Sequence, residues 1–292
     1  MDKQLPFVSV IMPTFRDWGR LRLCIDALKK QTYPKNRFEV VVVNNDPSDP
    51  CPYGSLPDNI ILITEGKPGS YAARNTGIKI AKGIILAFTD ADCIPHSDWI
   101  EQAVNILLEG AKRVAGRIEL FYKSDKLGLA EIYEKVFGFD QKKSAQTGGA
   151  FTANMITWKE NFERVGFFND SFMSGGDNEW GWRAQDQGIS VVHAPSVVVR
   201  HPARSSIKEM LRRNKRIIGG AYNIGVFRKI ENKTWFFTGL IPPVWVFSPI
   251  FKRNDLVFWE KLSVYMLFYF FKLHRTWYKS LLLLGVFKPI RQ

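Results

Sequence analysis

The chain has 292 residues, enough for one large domain or two small ones, and 46% of them are hydrophobic, which suits a folded protein with a sizeable core. Its 22 glycines and 15 prolines exclude a collagen-like or low-complexity chain. The net charge of +13 is uneven: residues 1–199 carry 23 Lys and Arg against 24 Asp and Glu, whereas residues 200–292 carry 18 against 4. This asymmetry indicates a polyanionic partner, namely nucleic acid, anionic lipid or a phosphorylated acceptor; a merely soluble basic face is the alternative.

The cysteines and the N-terminal segment bear on the cellular compartment. Cys24, Cys51 and Cys93 form no CxxC pair, and their odd number fits no disulfide framework, so a reducing cytoplasmic location is expected. The N-terminal segment has no apolar stretch of the kind that signal peptides carry.

Short apolar runs predict four buried β-strands in the first ninety residues. The runs are residues 8–12, 38–43, 60–63 and 84–88. Helical spacing of apolar residues predicts helices at residues 21–31, 71–81 and 99–108. Strands that alternate with helices and are apolar throughout indicate an α/β fold with a parallel sheet covered on both faces.

Polar residues follow two of these strands. Asn45 and Asp46 come after the second strand, and Asp90 and Asp92 come after the fourth. Ligands of open α/β sheets bind beyond the carboxyl ends of the strands, so all four side chains are expected on one rim. Two carboxylates two residues apart can share a hard divalent cation that bridges to phosphates; a solvated turn or helix cap is the alternative.

Another carboxylate lies in a glycine-rich segment, where Gly175 and Gly176 precede Asp177 at the start of an apparent helix. Glycines allow close approach to a ligand, and a carboxylate there can act as a general base toward an acceptor hydroxyl. A carboxylate at a helix start is also a good N-cap, which is the structural alternative. Arg183, further along, is either an ion-pair partner or a phosphate contact.

Two further features could contact phosphate or metal. The helix entry at Gly69 places backbone amides near a possible diphosphate, and Arg74 adds a charge-assisted donor; a surface arginine is the alternative. His193 and His201 accompany strand-like runs, and imidazole is a frequent metal ligand, but their spacing alone favours ordinary packing.

Five ordered motifs make the chain resemble family 2 of the glycosyltransferases over about residues 7–215. The motifs are residues 8–15, 39–46, 73–77, 88–92 and 176–179, the last followed by Arg183. The resemblance implies a GT-A fold, with a mixed and mostly parallel sheet covered by helices. It also implies a single displacement that inverts the anomeric configuration.

The resemblance assigns roles to individual residues. It implies that Asp92 is the principal ligand of Mn²⁺ or Mg²⁺, that Asp90 lies near the donor ribose and that Asp177 is the base. It matches His201 to a histidine that in many members completes the metal or diphosphate site. The other donor-binding residues that it implies are Pro13, Thr14, Asn45, Asp46 and Arg74. The expected reaction transfers a sugar from a nucleotide-diphosphate donor, with a UDP-sugar favoured, to a hydroxyl of a glycan or lipid-linked acceptor.

The chain departs from the family pattern at two places. Asn44 and Asn45 stand where the nucleoside-binding strand usually ends in aspartates, so the donor base stays open, although an Asn carbonyl can still accept the uracil N–H. Gly176 stands where the acidic motif usually begins with Glu, which keeps the base but removes a neighbouring acceptor contact.

Three other functions compete with this interpretation. A sugar nucleotidyltransferase has a similar α/β domain but needs a glycine-rich basic loop after the first strand, and residues 13–17 are not such a loop. A non-catalytic protein that binds membrane or nucleic acid agrees with the basic tail, but Asp90, Asp92 and Asp177 argue against it. The lack of a GxGxxG motif after any strand argues against a Rossmann dehydrogenase.

The predicted organisation is a catalytic domain at residues 1–203 followed by a basic, aromatic and helical region at residues 204–292. Within the first domain, about residues 1–110 would bind the nucleotide sugar and residues 111–203 the acceptor.

The C-terminal region is expected to lie on a membrane. Residues 205–218 have a basic amphipathic pattern, and residues 234–251 are an uncharged run rich in Trp and Phe. A spanning helix needs about 20 apolar residues; prolines interrupt this run, and the runs at 262–271 and 280–287 are shorter. Peripheral binding at the inner face of the membrane is therefore expected, during surface polysaccharide assembly. Packing on the catalytic domain, or a homodimer interface, is the alternative.

Overall fold

The computed structural model describes residues 5–223 and 234–288 of the chain. The chain divides into two compact units, here called the sheet unit and the helical unit. The sheet unit comprises Met1–Glu119, Phe139–Ser171 and Gly175–His201. The helical unit comprises Leu120–Gly138, Phe172–Ser174 and Pro202–Gln292. A middle segment of the chain therefore joins the C-terminal region, and the domain boundary expected near residue 203 stays a prediction.

The strands are β1 (Val8–Thr14), β2 (Phe38–Asn44), β3 (Ile60–Thr64), β4 (Ile85–Thr89), β5 (Ile94–Pro95), β6 (Arg113–Phe121), β7 (Asn154–Trp158) and β8 (Val191–Pro202). The α-helices are α1 (Trp18–Leu28), α2 (Ser70–Ile80), α3 (Trp99–Leu108), α4 (Leu129–Phe137), α5 (Gln141–Gln146), α6 (Glu160–Val165), α7 (Gly176–Asp186), α8 (Ile207–Asn223), α9 (Thr234–Leu240), α10 (Phe247–Phe251) and α11 (Phe258–Leu283). Short 3-10 helices are present at Lys35–Arg37 and Val244–Val246.

Within the described residues, eight strands form one sheet in the order β3-β2-β1-β4-β7-β6-β8-β5. β1 pairs in parallel with β2 and with β4, and β2 pairs in parallel with β3. The pairs β4–β7, β6–β7 and β5–β8 are antiparallel. Thr14 lies opposite Asn44, so β1 and β2 end level with each other. The predicted mixed α/β fold is confirmed, with its parallel part made by the four N-terminal strands.

The apolar run of β2 is buried along its whole length, because the sheet is covered on both faces. Val40 and Val42 belong to the larger core on one face, whereas Val41 and Val43 pack with Ala73 of α2 on the other. Successive side chains of a strand point to opposite faces, so an uninterrupted apolar run is needed to fill both cores.

Gly77 lets α2 approach the sheet closely. A Cβ atom at this position would lie 2.7 Å from the Ile11 side chain and 3.3 Å from that of Val43. Only a residue without a side chain fits at that distance. This contact holds α2 against β1 and β2. The N-terminal end of α2 lies near the end of β2, where the Gly69 N–H donates to Asn45.

The three predicted helices of the sheet unit are present, two of them with shifted ends. α1 begins at Trp18 and ends at Leu28, because Lys30 and Gln31 donate their N–H groups three residues back and close turns rather than continuing the helix. α2 ends at Ile80, since Ala81 leaves the helical conformation with ψ at 127°.

The helical unit contains α4 and the four C-terminal helices. Tyr133 of α4 packs edge-on against Phe271 of α11, with ring centroids 5.2 Å apart, in a core that also holds Met210 of α8. The uncharged runs at 262–271 and 280–287, expected as separate segments, both contribute to the continuous helix α11 or its C-terminal end. The predicted region also includes residues 224–233 and 289–292, which lie outside the described residues.

No helix among the described residues is both long enough and apolar enough to cross a membrane. The uncharged run at 234–251 is divided into α9, the 3-10 turn at Val244–Val246 and α10. Proline lacks a backbone N–H and cannot continue a helix, which accounts for the break before that turn.

Candidate active site

The ends of β1, β2 and β4 place several of the predicted donor-site residues along one rim of the sheet. Pro13 and Thr14 close β1, and Asp90 follows β4 directly. The Thr14 carbonyl accepts a hydrogen bond from the Asn45 backbone N–H at 2.8 Å, just beyond β2. The buried Thr14 hydroxyl has no hydrogen-bond partner among the described residues.

The Asn45 side chain is held by the backbone of the segment that leads into α2. Its NH₂ group donates to the carbonyls of Glu65 at 2.9 Å and Lys67 at 2.8 Å, and its oxygen accepts from the Gly69 N–H at 2.7 Å. An amide oxygen has two lone pairs, so one acceptor position remains for a ligand. Asn45 thus has a structural role in the segment before α2, and its expected contact with the nucleoside stays a prediction.

Asp46 is fixed by its own loop. Its carboxylate accepts hydrogen bonds from the backbone and hydroxyl of Ser48 and from Arg16 Nε at 2.5 Å. The Ser48 hydroxyl, followed by Arg16, lowers the pKa of Asp46, so this group is ionised at neutral pH. Arg16 has φ of 52°, a left-handed conformation uncommon for a residue other than glycine. The ion pair holds this strained residue beside the rim.

A cluster of metal-ligating side chains lies at the end of β4. One ligand atom from each of Asp90, Asp92, Cys93 and His201 lies within 4.8 Å of all the others. His201 Nε2 lies 3.6 Å from Asp92 Oδ1, and Arg20 Nη1 lies 3.4 Å from Asp92 Oδ2. The structure therefore brings the DxD motif together with a histidine 109 residues further along the chain.

The chemistry of this cluster fits a hard divalent cation. Carboxylate oxygens suit Mn²⁺ or Mg²⁺, an imidazole nitrogen is more typical of transition-metal ions, and a thiolate prefers softer ions. Burial raises the pKa of the Cys93 thiol well above its usual value, so the thiol is protonated at neutral pH. Burial also raises the pKa of Asp92; His201 opposes this shift and Asp90 adds to it. A divalent cation would relieve the repulsion between the two carboxylates.

Arg74 anchors the DxD motif to α2. Its buried guanidinium makes a short hydrogen-bonded ion pair through Nη2 with Asp90 Oδ1, and it lies over the Tyr71 ring at 5.6 Å. Its Nε is buried with no hydrogen-bond partner among the described residues. The alternative of a surface arginine is therefore excluded, because Arg74 is 3% exposed and pairs with Asp90. Its predicted contact with a diphosphate stays a prediction.

Asp177 lies in the first turn of α7 and is buried. Its Oδ1 accepts hydrogen bonds from the Tyr71 hydroxyl at 3.0 Å and from the Asn178 N–H at 3.0 Å, and its Oδ2 accepts one from the Thr152 N–H at 3.3 Å. Burial raises the pKa of Asp177, while the Tyr71 hydrogen bond and the Arg74 charge oppose the shift. A carboxylate with a raised pKa and no direct cationic partner among the described residues has the properties of a general base.

The glycine that replaces the usual Glu has a packing reason. Gly175 adopts a left-handed conformation with φ of 81°, which turns the chain into α7. At Gly176 a Cβ atom would lie 2.9 Å from the Tyr71 ring, so the ring occupies the space beside the base. The sequence predicts the loss of an acceptor contact at residue 176, and in the structure the Tyr71 ring fills the space that a side chain there would need.

Two residues singled out in the sequence lie outside this cluster. Arg183 donates to Glu179 at 2.7 Å and to the carbonyls of Val165 and Phe167, so it is a structural ion-pair partner rather than a phosphate contact. His193 lies within β8 and is not among the grouped metal-ligating side chains.

Sequence reasoning missed four residues that the structure brings to the site: Arg16, Arg20, Tyr71 and Cys93. Cys93 follows the DxD motif directly and Tyr71 precedes Arg74 by one helical turn, so both were signalled by position alone. Arg16 and Arg20 had no signal for the site, because the site carboxylates that they contact, Asp46 and Asp92, are 30 and 72 residues away in the chain.

Comparisons with known proteins identify the family of the chain. The family model described as glycosyl transferase family 2 matches residues 9–164. Glycosyltransferase AglE of Haloferax volcanii is 36% identical over 256 residues, which cover 83% of this chain and 84% of that protein. A second relative, from Methanococcus voltae, is 23% identical over 249 residues, which cover 79% of this chain and 77% of that protein. It is the dolichyl N-acetyl-alpha-D-glucosaminyl phosphate 3-beta-D-2,3-diacetamido-2,3-dideoxy-beta-D-glucuronosyltransferase of that organism.

A solved structure shows the same fold. The mannosyltransferase PcManGT of Pyrobaculum calidifontis, in complex with GDP-Man and Mn²⁺, aligns with a TM-score of 0.58 at 18% identity, covering 95% of this chain and 73% of that one. A likeness at this identity concerns the fold alone. Together with the family match and the identity to AglE, it shows that this chain is a glycosyltransferase of GT-A fold and belongs to glycosyl transferase family 2.

Proposed function

We propose that the enzyme transfers a sugar from a nucleoside diphosphate donor, a UDP-sugar, to a hydroxyl of a glycan or lipid-linked acceptor, with inversion at the anomeric carbon. The observation that carries this proposal is that one helical turn of α2 contacts both halves of the reaction centre. Arg74 pairs with Asp90 of the DxD motif, and Tyr71 donates to the buried Asp177. A donor-side carboxylate cluster and a candidate base are thereby held within reach of one substrate.

Asp92 and His201, with Asp90 beside them, would hold a divalent cation. Such an ion, Mn²⁺ or Mg²⁺, neutralises the donor diphosphate and stabilises the departing group when it is bound. The donor set of two carboxylates and an imidazole supports this assignment. PcManGT, which shares the fold, was solved with Mn²⁺.

The protein's own residues would perform the proton transfer. Asp177 accepts the proton of the acceptor hydroxyl as that oxygen forms a bond to the anomeric carbon. The bond between the anomeric carbon and the diphosphate oxygen breaks, and the nucleoside diphosphate departs with the electron pair. Asp177 Oδ2 is suited to take the proton because it accepts only one long hydrogen bond from the described residues.

The donor base would be recognised at the ends of β1 and β2. Asn45 keeps one acceptor position for the uracil N–H, and the buried Thr14 hydroxyl lies beside it on the rim. Calorimetric titration of UDP, GDP, ADP and CDP in the presence of Mn²⁺ tests this choice. We expect UDP to bind at least about 10-fold more tightly than the others, the difference that about 1.4 kcal/mol of hydrogen bonding provides. Tighter binding of GDP, the nucleotide of the PcManGT donor, would assign a different base.

The acceptor is proposed to be carried by a lipid at the inner face of the membrane. The Methanococcus voltae relative is named for a dolichyl-linked acceptor. The helical unit exposes large apolar side chains, including Phe237, Trp245 and Trp259 at 67%, 60% and 71%. Lysines accompany these aromatics: Lys272 Nζ lies 4.4 Å from the Trp245 ring centroid. Aromatic and basic side chains together suit the headgroup region of an anionic membrane.

Sedimentation with liposomes tests this membrane proposal. We expect the enzyme to pellet with anionic vesicles at low salt and to be released by high salt, because each Lys or Arg near such a surface contributes about 1 kcal/mol. The double variant Phe237→Ser and Trp259→Ser should reduce the pelleted fraction. Leu23→Ser, at a position 56% exposed on α1, is the matched control and should not.

A negative result would favour the alternative occupants of this surface. Full-length enzyme that stays in the supernatant with anionic vesicles at low salt contradicts the proposal. If the same protein then sediments as a dimer in analytical ultracentrifugation, and the double variant as a monomer, the apolar surface is an interface between two copies.

A further inference from the structure

Tyr71 contacts the proposed base, but the proposed mechanism gives its hydroxyl no role of its own. It lies in the first turn of α2, is 4% exposed, and packs its ring against Phe168 with centroids 5.5 Å apart. Its other ring neighbour is the Arg74 guanidinium. With the ring held between these groups, the hydroxyl is directed at Asp177 Oδ1, 3.0 Å away.

The hydroxyl of Tyr71 acts as a donor at every pH at which the enzyme would work. Burial raises the pKa of Tyr71 well above its usual value, and the nearby Asp177 charge raises it further. A protonated phenol beside a carboxylate makes a charge-assisted hydrogen bond, which is stronger than one between neutral groups.

The remaining contacts of Asp177 distinguish its two oxygens. Oδ1 accepts from both Tyr71 and the Asn178 N–H at 3.0 Å, whereas Oδ2 accepts only from the Thr152 N–H at 3.3 Å. The two strong bonds fix the plane and rotation of the carboxylate. They leave Oδ2 as the oxygen with greater capacity to take a proton.

Tyr71 and Gly176 are matched in size. A Cβ atom at residue 176 would lie 2.9 Å from Tyr71 Cε2 and 3.2 Å from Cζ, so the ring fills the volume that a side chain at 176 would need. The tyrosine therefore stands immediately beside the base on the side where the related motif begins with Glu.

We propose that Tyr71 is a positioning residue for Asp177: its hydroxyl fixes Oδ1 and leaves Oδ2 to accept the proton of the attacking hydroxyl. This inference rests on the proposed role of Asp177 as the base. It adds a specific residue and a specific oxygen to that role, and it accounts for the glycine at position 176.

The charged groups around Asp177 determine how its pKa should respond when the Tyr71 hydroxyl is removed. Arg74 on α2 acts on Asp177 through its charge, and on α7 the Glu179 carboxylate is paired with Arg183. The Tyr71 hydrogen bond lowers the pKa of Asp177, opposing burial. Without that bond the charged form of Asp177 loses a donor, so the pKa of Asp177 rises and the base is protonated over a wider acidic range.

Tyr71→Phe tests the proposal, since it removes only the hydroxyl and keeps the ring beside Arg74 and Gly176. At acidic pH we expect kcat to fall by about 10-fold or more, the size expected for one hydrogen bond to a charged group. The acidic limb of the kcat profile should move to higher pH, and the loss should shrink as pH rises, with KM for the donor unchanged. Tyr33→Phe is the control: it removes another buried hydroxyl, one that donates to the Pro6 carbonyl, and should leave the profile in place.

An activity-independent measurement separates this inference from the proposed function. The carboxyl ¹³C resonance of Asp177, assigned by its absence in Asp177→Asn, is titrated in wild-type enzyme and in Tyr71→Phe without substrate. If its pKa does not rise in the variant, or if kcat falls equally at every pH, the positioning role is overturned. If the resonance shifts as expected but the acidic limb of kcat does not, Tyr71 still orients Asp177 and it is the assignment of Asp177 as the base that fails.

Discussion

Replacing Asp177 with asparagine is expected to lower the transfer rate by about 10²- to 10⁴-fold, the usual contribution of general acid–base catalysis. The amide keeps the size of the carboxylate and can still accept hydrogen bonds from Tyr71 and Asn178, but it cannot take a proton. Donor binding should stay within a few-fold of wild type, because the DxD motif and His201 are unchanged. Initial rates with a saturating donor, together with calorimetric titration of the nucleotide, measure the two effects separately.

Glu179→Gln is the matched control for this experiment. Glu179 lies on the same helix, two residues from Asp177, but its carboxylate is held by Arg183 at 2.7 Å and 3.1 Å. Both oxygens of Glu179 accept hydrogen bonds from Arg183 and are not available to an acceptor hydroxyl, so this variant should keep its rate within a few-fold. An Asp177→Asn enzyme that transfers sugar at nearly the wild-type rate would remove Asp177 from the role of base.

Replacing Asp92 with alanine is expected to abolish the dependence of donor binding on a divalent cation. Changing a residue that only hydrogen-bonds to a metal ligand typically costs about 10- to 100-fold in metal affinity, so losing a proposed direct ligand should cost at least that much. UDP is titrated with Mn²⁺ and with EDTA, in wild-type enzyme and in the variant. We expect tight binding only for wild-type enzyme with Mn²⁺.

The control here is Asp26→Ala, which removes a surface carboxylate of α1 whose described partner is Lys29. It should bind UDP as wild-type enzyme does and lose affinity with EDTA to the same degree. Equal UDP affinity in wild-type enzyme with Mn²⁺, wild-type enzyme with EDTA and Asp92→Ala would exclude a metal-mediated donor site at Asp92.

The amino-acid sequence by itself determined the parallel half of the sheet and the position of the carboxylates that follow its strands. Short apolar, β-branched runs such as residues 40–43, ended by polar residues, favour strands buried on both faces, so the parallel half of the sheet could be predicted. Because all parallel strands of a sheet end at the same edge, the expectation that Asn45 and Asp90 share a rim required no three-dimensional information. The helix start at Asp177 could also be predicted from neighbouring residues, because adjacent glycines and polar residues indicate it.

Only the tertiary structure decided how these pieces meet. Tyr71 and Asp177 are 106 residues apart, and no local pattern indicates that a tyrosine of α2 fills the space left by Gly176. No local pattern indicates that Arg74 is buried, since its position in the sequence also permitted a surface location. Nor does any local pattern place Cys93 near His201. Periodicity and motif spacing report which face of an element is buried, but which side chains touch across that face depends on how the elements pack. In this enzyme that packing determines which residue holds the proposed base in place.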